Sequence, residues 1–309
     1  MKRILVTGGA GFIGSHLVKY LVENGDEVIV ADILLRGNKI DKEILKSLKF
    51  VNADVRNYEK MAELSKNCEM IFHFAAILGV DVVADNPVET METEVIGLKN
   101  ITEAAMKNGV QKVIYASTSG VYGHSAIEKS VTENIQLDPR TSYAIAKRYN
   151  EIYLTALYEE KGLQSISLRF FNVYGVNQDN RMVIPRFFEQ AIKNDPITVY
   201  GEGNQTRDFT YIDDTVYASV KLAEQVVGYE IFNIANEVEY TIGDLAQSIR
   251  TLTNSESEIS YIQAPEKRYD FEVGRRVGSS DKLNKAINFK PKTKLNDGLK
   301  KIYDYLKST

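Results

Sequence analysis

A glycine-rich turn between the first predicted strand and the first predicted helix constrains the fold of this chain most. Residues 3–7 (RILVT) form a short apolar strand pattern, and Gly8, Gly11 and Gly14 follow it as G-x-x-G-x-x-G. Glycine tolerates a positive φ and lets the backbone approach a pyrophosphate closely, while the N-terminus of the next helix offers N–H groups to phosphate. The spacing alone is weak, but a position between strand and helix is what a dinucleotide-binding turn requires.

The residue that ends the second predicted strand indicates which dinucleotide the turn would bind. Residues 27–31 (EVIVA) form this strand, and Asp32 follows it. A carboxylate here can accept hydrogen bonds from both hydroxyls of an adenosine ribose and would repel a 2′-phosphate. The sequence therefore favours NAD over NADP, although Arg36 lies nearby and keeps NADP as an alternative.

The order of the predicted elements indicates an α/β fold with a parallel sheet wound on both faces. Further strands are predicted at 49–51, 70–74, 113–116 and 165–170, and helices at 57–65, 87–108 and 142–160. Beyond residue 175, short elements and turns are expected to dominate. We therefore predict a dinucleotide-binding domain over 1–175 and a smaller substrate-binding lobe over 176–309, with a strand near 231–235 returning to the main sheet.

Composition argues against several classes of partner. The net charge is −4, whereas proteins that bind nucleic acids or membrane surfaces are usually basic. The single cysteine, Cys68, permits no disulfide within the chain, which is typical of a reducing cytoplasm. The apolar run before Thr7 is too short for a signal-peptide core or a membrane span. The chain is therefore expected to be cytoplasmic.

The histidines do not predict a metal site. His16, His73 and His124 are far apart in the sequence and lack the spacing of metal ligands. His124 could reach a substrate, but a loop histidine without such a role is the simpler reading.

The stretch TSYAIAKR, residues 141–148, contains a candidate catalytic pair. Tyr143 and Lys147 are four residues apart, so on a helix they share one face. A free tyrosine has a pKa of about 10 and is a poor base at neutral pH. A nearby ammonium, together with the positive charge of an oxidised nicotinamide, favours the phenolate and is expected to lower that pKa. The spacing is common by chance, so the pair needs support from the rest of the chain.

That support comes from a series of short segments that together resemble the extended short-chain dehydrogenase/reductase family, in particular its nucleotide-sugar epimerases and dehydratases. The resemblance covers nearly the whole chain, and it is the order and spacing of the segments that make it specific. They are TGGAGFIGSHL (7–17), AD (31–32), NADVRN (52–57), HFAA (73–76), YASTSGVYG (115–123), SYAIAK (142–147), RFFNVYG (169–175), VYGEGNQTRDFTYIDD (199–214) and LNDGLKK (295–301).

The resemblance implies a Rossmann fold and a role for each matching position. Thr118, Tyr143 and Lys147 would be catalytic, with Thr118 also holding the substrate and Lys147 bonding the nicotinamide ribose. The cofactor-binding positions, besides Tyr143 and Lys147, would be Gly8, Gly11, Phe12, Ile13, Gly14, Asp32, Asp54, Val55, Ala75 and Ala76.

The substrate implied by the resemblance is a nucleotide sugar. Asn172 and Arg207 would contact its diphosphate, and Tyr200 its base. A second phosphate-binding arginine is expected in the stretch 268–276, where we favour Arg276 and keep Arg268 and Arg275 as alternatives.

The residues after Thr118 bear on the reaction. In the family, a dehydratase has an acidic pair directly after the catalytic threonine, and a decarboxylase usually has a glutamate two residues before the VYG tyrosine. Here Ser119 and Gly120 occupy those places. We therefore favour an NAD-dependent 4-epimerase of a nucleotide sugar, such as a UDP-hexose. A 4,6-dehydratase, a UDP-glucuronate decarboxylase, an epimerase at C2, C3 or C5, a 4-keto reductase and a non-catalytic NAD-binding protein remain alternatives.

The sequence departs from the family pattern at two places, and the resemblance also implies a homodimer. Glu94 stands where the family often has asparagine, which puts a local hydrogen-bond network in doubt. The segment from Ile77 to Asp81 differs from the usual substrate loop, and Gly79 leaves room near the sugar. The helices at 87–108 and 142–160 would form a homodimer interface.

Overall fold

In the computed structural model, the chain divides into two compact units that each draw on three segments of the sequence. The structure describes residues 1–77, 80–126, 130–263 and 274–308. The first unit comprises Met1–Val121, Pro139–Arg169 and Val216–Phe232, and the second comprises Tyr122–Asp138, Phe170–Thr215 and Asn233–Thr309. The predicted division at residue 175 stays a prediction, and the units as found are not separated by a single cut.

The strands and helices have the following bounds. The strands are β1 (Arg3–Thr7), β2 (Glu27–Asp32), β3 (Lys49–Asn52), β4 (Met70–His73), β5 (Lys112–Thr118), β6 (Gln164–Phe170), β7 (Val173–Tyr174), β8 (Ile197–Tyr200), β9 (Thr206–Asp208), β10 (Thr210–Tyr211), β11 (Tyr229–Ile234), β12 (Glu239–Thr241), β13 (Ile259–Ile262) and β14 (Arg275–Arg276). The α-helices are α1 (Phe12–Glu23), α2 (Lys42–Lys46), α3 (Tyr58–Leu64), α4 (Val80–Asp85), α5 (Pro87–Asn108), α6 (Ser142–Lys161), α7 (Val183–Ile192), α8 (Ile212–Gln225), α9 (Ile242–Thr253), α10 (Asp281–Ile287) and α11 (Leu295–Ser308). A 3₁₀ helix spans Ser119–Ala126.

The main sheet confirms the predicted doubly wound α/β fold. Its seven strands lie in the order β11-β6-β5-β4-β1-β2-β3, so the strand predicted near 231–235 does return to this sheet as β11. Parallel pairings join β1 to β2 and β4, β2 to β3, and β4 to β5. The chain order reverses between β1 and β4, and the carboxyl ends of parallel strands at such a switch point are where open α/β sheets bind ligands.

One face of this sheet is covered by α3 and α5, and this packing positions the candidate site. Leu5, Ile29, Ile71 and Val113 lie on four neighbouring strands, and all are buried in one apolar cluster. They pack with apolar residues of the two helices, namely Met61, Leu64, Ile101, Ala104 and Ala105. Burial of such side chains contributes about 25 cal/mol for each Å² of apolar surface, so the edge that carries the site rests on a packed core.

Two helices next to the site, α5 and α6, end at a glycine, and α6 begins at a side-chain cap. The Thr141 side chain accepts a hydrogen bond from the Ala144 N–H at 3.1 Å, which starts α6, and Gly162 ends it with φ of 72°. Gly109 ends α5 in the same way, with φ of 67°. These left-handed residues satisfy the last carbonyls of a helix, and glycine adopts that conformation without steric cost.

The expectation of short elements beyond residue 175 is wrong, because α7, α8, α9 and α11 are each 10 to 14 residues long. In α7, Ile184, Phe187, Phe188 and Ala191 are buried and repeat at the spacing of one helix face. This amphipathic period, rather than the turn residues between helices, decides the structure of that segment.

Candidate active site

The glycine turn after β1 folds into a tight loop that leaves no room for side chains. Gly8 has φ of +71°, and a Cβ there would lie 2.5 Å from the amide nitrogen of Ala75. A Cβ on Gly14 would lie 2.1 Å from the carbonyl oxygen of Gly8, well below the 3.0 Å that real Cβ atoms respect. A Cβ on Gly11 would lie 3.3 Å from the same carbonyl oxygen of Gly8. Glycine is therefore required at position 14 by the loop's own backbone, and at position 8 by its positive φ and by the backbone of Ala75 after β4.

The start of α1 suits an anionic ligand. Gly11 is its N-cap and provides no side-chain hydrogen bond, and the first turn, which includes Phe12 and Ile13, has no acidic residue. The N–H groups of a first turn and the helix dipole together attract phosphate.

Asp32 is held beside this loop by the backbone. Its Oδ2 accepts a hydrogen bond from the Ala10 N–H at 3.0 Å, and its Oδ1 accepts one from the Leu34 N–H at 2.8 Å. Burial raises the pKa of Asp32, while the N–H donors oppose that effect. The Ile33 N–H also donates to this carboxylate, and the acceptor capacity that remains fits the binding of a ribose hydroxyl. The glycine cradle, the uncapped helix and this carboxylate together fit a dinucleotide such as NAD.

The predicted cofactor-binding residues Asp54 and Val55 follow β3. Asp54 forms a bidentate ion pair with Arg56, whose Nη2 lies 2.7 Å from Oδ2, and the guanidinium lowers the pKa of Asp54. Val55 is 4% exposed and its side chain faces Gly97 of α5, so any contact with a cofactor would use its backbone. The Asn100 amide group donates to the Val55 carbonyl at 3.1 Å and fixes that backbone.

Sequence reasoning did not single out Arg56 or Asn100. Arg56 directly follows the Asp54–Val55 pair, so its position in NADVRN was an available signal for a charged partner.

The loop after β4 brings Ala75 and Ala76 next to the glycine turn. The Ala75 N–H lies 3.5 Å from the Thr7 hydroxyl oxygen. His73, at the end of β4, contacts the same hydroxyl, with Nδ1 at 2.7 Å from Oγ1. Burial and the nearby ammonium of Lys147 lower the pKa of His73 to about 3, so the ring is neutral at physiological pH.

The three candidate catalytic residues lie in the first unit, on β5 and the start of α6. Thr118 ends β5, and its hydroxyl oxygen accepts a hydrogen bond from the Gly120 N–H at 3.1 Å. A Cβ on Gly120 would lie 3.3 Å from that hydroxyl oxygen and 3.7 Å from the Cβ of Ala144, the residue after Tyr143. Thr118 is therefore adjacent to the first turn of the catalytic helix.

Tyr143 and Lys147 share one face of α6, as predicted. The Lys147 Nζ lies 5.3 Å from the centre of the Tyr143 ring and 4.7 Å from the centre of the Tyr115 ring. Lys147 is only 1% exposed, whereas Tyr143 is partly exposed. Lys147 is therefore the more deeply buried of the two residues.

The expectation that Lys147 lowers the pKa of Tyr143 is wrong for the protein without ligands. Burial raises this pKa well above its usual value, and the charge of Glu94 raises it further. The reason is structural: Glu94 Oε2 lies 2.8 Å from Lys147 Nζ and offsets the positive charge. Sequence reasoning noted Glu94 as a departure from the family pattern but did not predict this ion pair.

A second buried network supports β5 and α6. The bidentate pair between Glu151 and Arg169 has both N–O distances at 2.8 Å, and Ser117 donates to Glu151 Oε1 at 2.7 Å. Glu151 is fully buried. A carboxylate on the inward face of a helix and an arginine within an apolar strand were the signals for it.

In the second unit, the strand register brings two predicted substrate residues together. Arg207 on β9 pairs with Arg276 on β14 and with Tyr240 on β12. Directly paired residues of neighbouring strands point to the same face of a sheet. Arg275 belongs to the other face and forms a bidentate ion pair with Glu239 at 3.0–3.1 Å.

The remaining predicted substrate positions are also in the second unit, except Arg268, which lies outside the described residues together with Gly79. Asn172 lies between β6 and β7 with φ of 20°, and its carbonyl accepts a hydrogen bond from Thr210. The Tyr200 ring has the guanidinium carbon of Arg186 at 4.7 Å from its centre. His124 lies 3.5 Å from Asp138.

The described part of the chain contains neither a cluster of metal-ligating side chains nor a membrane-spanning helix. Over residues 1–77, 80–126, 130–263 and 274–308, no three side chains of His, Cys, Asp or Glu come together as a metal site. Within the same ranges, every helix is too short or too polar to cross a membrane.

Comparison with known proteins agrees with this geometry. Residues 4–235 match the family model described as "NAD dependent epimerase/dehydratase family". The chain is 37% identical over 317 residues to the UDP-N-acetyl-alpha-D-glucosaminuronate decarboxylase of Bacillus cytotoxicus, with 99% of this chain and 98% of that protein covered.

Two solved structures are similar over nearly their whole length. The UDP-glucose 4-epimerase of Thermotoga maritima, solved with UDP-glucose, has a TM-score of 0.92 at 32% identity and covers 99% of both chains. The UDP-glucose 4-epimerase of Thermus thermophilus, solved with NAD, has a TM-score of 0.90 at 30% identity, again with 99% of both chains covered. The chain therefore belongs to the NAD-dependent epimerase/dehydratase family, and its cofactor is NAD.

Proposed function

We propose that this protein is a nucleotide-sugar 4-epimerase that acts on a UDP-hexose. The observation that carries the proposal is the grouping of Thr118, Tyr143 and Lys147 with no carboxylate at either of the two positions after Thr118. These three groups can move a proton at a sugar hydroxyl, and Ser119 and Gly120 offer no carboxylate for an elimination.

The three side chains have different roles in the reaction at C4. The Thr118 hydroxyl holds the C4 hydroxyl of the sugar, and Tyr143 removes its proton as general base. NAD, held by the glycine turn and Asp32, would supply the hydride acceptor and donor for C4. Tyr143 then returns the proton to the C4 oxygen. Lys147 holds the nicotinamide ribose and supports the charge on the phenolate.

Gly120 favours epimerisation over dehydration. A Cβ at this position would lie 3.3 Å from the Thr118 hydroxyl oxygen, so any side chain here would border the reacting groups. A dehydratase must protonate a departing C6 hydroxyl and remove a proton from C5. A serine and a glycine after Thr118 do not provide that acid and base.

Decarboxylation of a nucleotide-linked uronic acid is the second candidate, favoured by the 37% identity to the Bacillus cytotoxicus decarboxylase. Oxidation at C4 would convert such a sugar into a β-keto acid. A β-keto acid loses carbon dioxide by passing the electrons of the C5–C6 bond to the ketone, so no additional acid is needed. The same Tyr143 chemistry would then give either outcome, and the group at C6 of the sugar would decide it.

The diphosphate is assigned to the face that carries Arg207 and Arg276. Two guanidinium groups on paired strands can bind two neighbouring phosphates through several charge-assisted hydrogen bonds. Arg275 is the weaker candidate because its Nε and Nη2 already donate hydrogen bonds to the Glu239 carboxylate.

The experiment that tests the proposal is proton NMR of the purified protein in D₂O with UDP-hexoses and the corresponding UDP-hexuronic acids, without added NAD. A C4 epimer without deuterium on the ring supports the epimerase. A pentose product with one deuterium at C5 and loss of C6 supports the decarboxylase instead. A C6 methyl group with deuterium at C5 would reveal a dehydratase and overturn the proposal.

A homodimer through α5 and α6 is proposed from their exposed apolar residues. Ile145, Tyr149 and Ile152 are 47–53% exposed and lie along one side of α6, and Ile96 of α5 is 41% exposed. Ile152→Glu should convert a dimer to a monomer in analytical ultracentrifugation, while Lys161→Glu, at the end of the same helix, should not. A wild-type protein that sediments as a monomer would refute this assembly.

A further inference from the structure

A buried carboxylate lies directly behind the catalytic lysine. Glu94, on α5, has no exposed surface, and its Oε2 lies 2.8 Å from the Nζ of Lys147, which is 1% exposed. The helix therefore carries a charged residue at a position where its neighbours in the core, such as Leu98 and Ile101, are apolar.

Three elements hold this ion pair in one arrangement. The Tyr115 hydroxyl, on β5, lies 3.3 Å from Glu94 Oε2. Asn150, one turn after Lys147 on α6, donates from Nδ2 to the Tyr115 hydroxyl at 2.8 Å and to the Glu94 carbonyl at 3.0 Å. The pair is thus linked to α5, α6 and β5, and the Lys147 ammonium is fixed in position.

Stability alone is a poor explanation for such a pair. Burying two opposite charges costs about as much in lost hydration as their attraction returns, and well-packed apolar residues are often equal or better. Lys147 is in the catalytic group, so the pair has a consequence at the active site that an apolar replacement would lack.

That consequence is electrostatic. An ammonium beside a phenol favours the phenolate, and a carboxylate on that ammonium opposes the effect. Among the side chains that the structure describes, the groups that face Tyr143 and Lys147 from the packed elements are His73 on β4, Tyr115 on β5 and Glu94 on α5. His73 is neutral, because burial lowers its pKa to about 3, and burial raises the pKa of Tyr115. Among these groups, Glu94 is the one that brings a negative charge.

Further along α6, the Glu151 carboxylate is compensated by Arg169 through its bidentate pair. Its influence on the phenol is therefore small compared with that of Glu94, whose charge is the second cause, after burial, of the raised pKa of Tyr143.

We propose that Glu94 is a positioning residue of the catalytic centre: it fixes the Lys147 ammonium by a buried ion pair and sets the pH above which Tyr143 acts as a base. The inference rests on the proposed role of Tyr143. It adds to that role a residue on a different helix which touches neither sugar nor reacting atoms.

The test is a titration of Tyr143 in Glu94→Gln, which keeps the shape of the side chain and removes its charge. Tyrosinate absorbance is measured as a function of pH with NAD bound. The titration of the corresponding protein that also carries Tyr143→Phe is subtracted, which leaves the signal of Tyr143. Removing a negative charge makes the phenolate easier to form, so the pKa of Tyr143 should fall by roughly one pH unit. Glu103→Gln is the matched control, because it removes the same charge from the exposed face of α5, where Glu103 lies 3.9 Å from Lys99.

Identical titration of Tyr143 in wild type and Glu94→Gln would overturn the proposal, as would an equal shift in Glu103→Gln. Should Glu94→Gln fail to fold, the comparison is made between Lys147→Met and Lys147→Met/Glu94→Gln, the second of which buries neither charge. The proposal expects a lower Tyr143 pKa in the double variant, and equal values would refute it. The titration uses no substrate, so an absence of epimerase activity would refute the proposed function and leave this result interpretable.

Discussion

Gly14→Ala is expected to abolish tight NAD binding while leaving the fold in place. The new Cβ would lie 2.1 Å from the Gly8 carbonyl oxygen and 2.8 Å from the Gly9 Cα. Both are backbone atoms of the cofactor loop, so no side chain can rotate away. Raising 2.1 Å to the 3.0 Å that real Cβ atoms respect requires the loop and the first turn of α1 to separate by about 0.9 Å.

The expected loss of NAD affinity follows from that displacement. A misplacement of about 1 Å in a binding constellation typically costs about 100-fold, which corresponds to about 2.7 kcal/mol of binding free energy. The overpacked contact should also lower the free energy of unfolding by about 1–3 kcal/mol.

The assay is isothermal titration calorimetry of NAD into cofactor-free protein, together with urea unfolding. Gly243→Ala is the control, since Gly243 also lies in the first turn of a helix, α9, but its Cβ would meet atoms at 3.5 Å or more. That variant should bind NAD like wild type and gain up to about 1 kcal/mol of stability. Unchanged NAD affinity in Gly14→Ala would refute the assignment of this loop as the phosphate site.

Three further predictions concern ionisable side chains. His73 is neutral in the folded protein, with a pKa of about 3 against 6.5 when unfolded, so the unfolded chain gains a proton first as the pH falls. Between pH 6.5 and 3 the wild type should therefore lose about 1.4 kcal/mol of stability per pH unit more than His73→Asn in urea unfolding, and parallel curves would contradict this. Glu151→Gln breaks the buried bidentate pair with Arg169 and should cost about 3–5 kcal/mol in the same assay. Arg276→Ala should weaken UDP binding about 10- to 100-fold by calorimetry, whereas Arg275→Ala should change it little, and the reverse order would reassign the phosphate-binding face.

The sequence was informative where a structural requirement is local. The turn from Gly8 to Gly14 is dictated by backbone contacts within a few residues, and the i, i+4 spacing of Tyr143 and Lys147 needs only a helix. The sheet could be predicted for the same reason, because the spacing of apolar residues within each segment indicates a strand or a helix.

Features that depend on contacts between distant segments could not be predicted. The ion pair between Glu94 and Lys147 joins two helices, and nothing in either local pattern specifies the distance of the two groups. The sequence favoured Arg276 but left Arg275 as an alternative, because the faces of the two residues depend on the register of β14 against β9 and a shift by one residue would exchange them. Consequently the pKa of Tyr143, which the sequence suggested would be lowered, is raised.

The central claim is that Tyr143 removes the proton of the C4 hydroxyl while the hydride leaves C4 and returns to it within one turnover. Its most direct test is the conversion of a UDP-hexose deuterated at C4 in ordinary water, without added NAD. The account predicts that the C4 epimer retains deuterium at C4, and that Tyr143→Phe forms almost none of it. An epimer that has exchanged its C4 deuterium for solvent hydrogen, or undiminished turnover by Tyr143→Phe, would contradict the account.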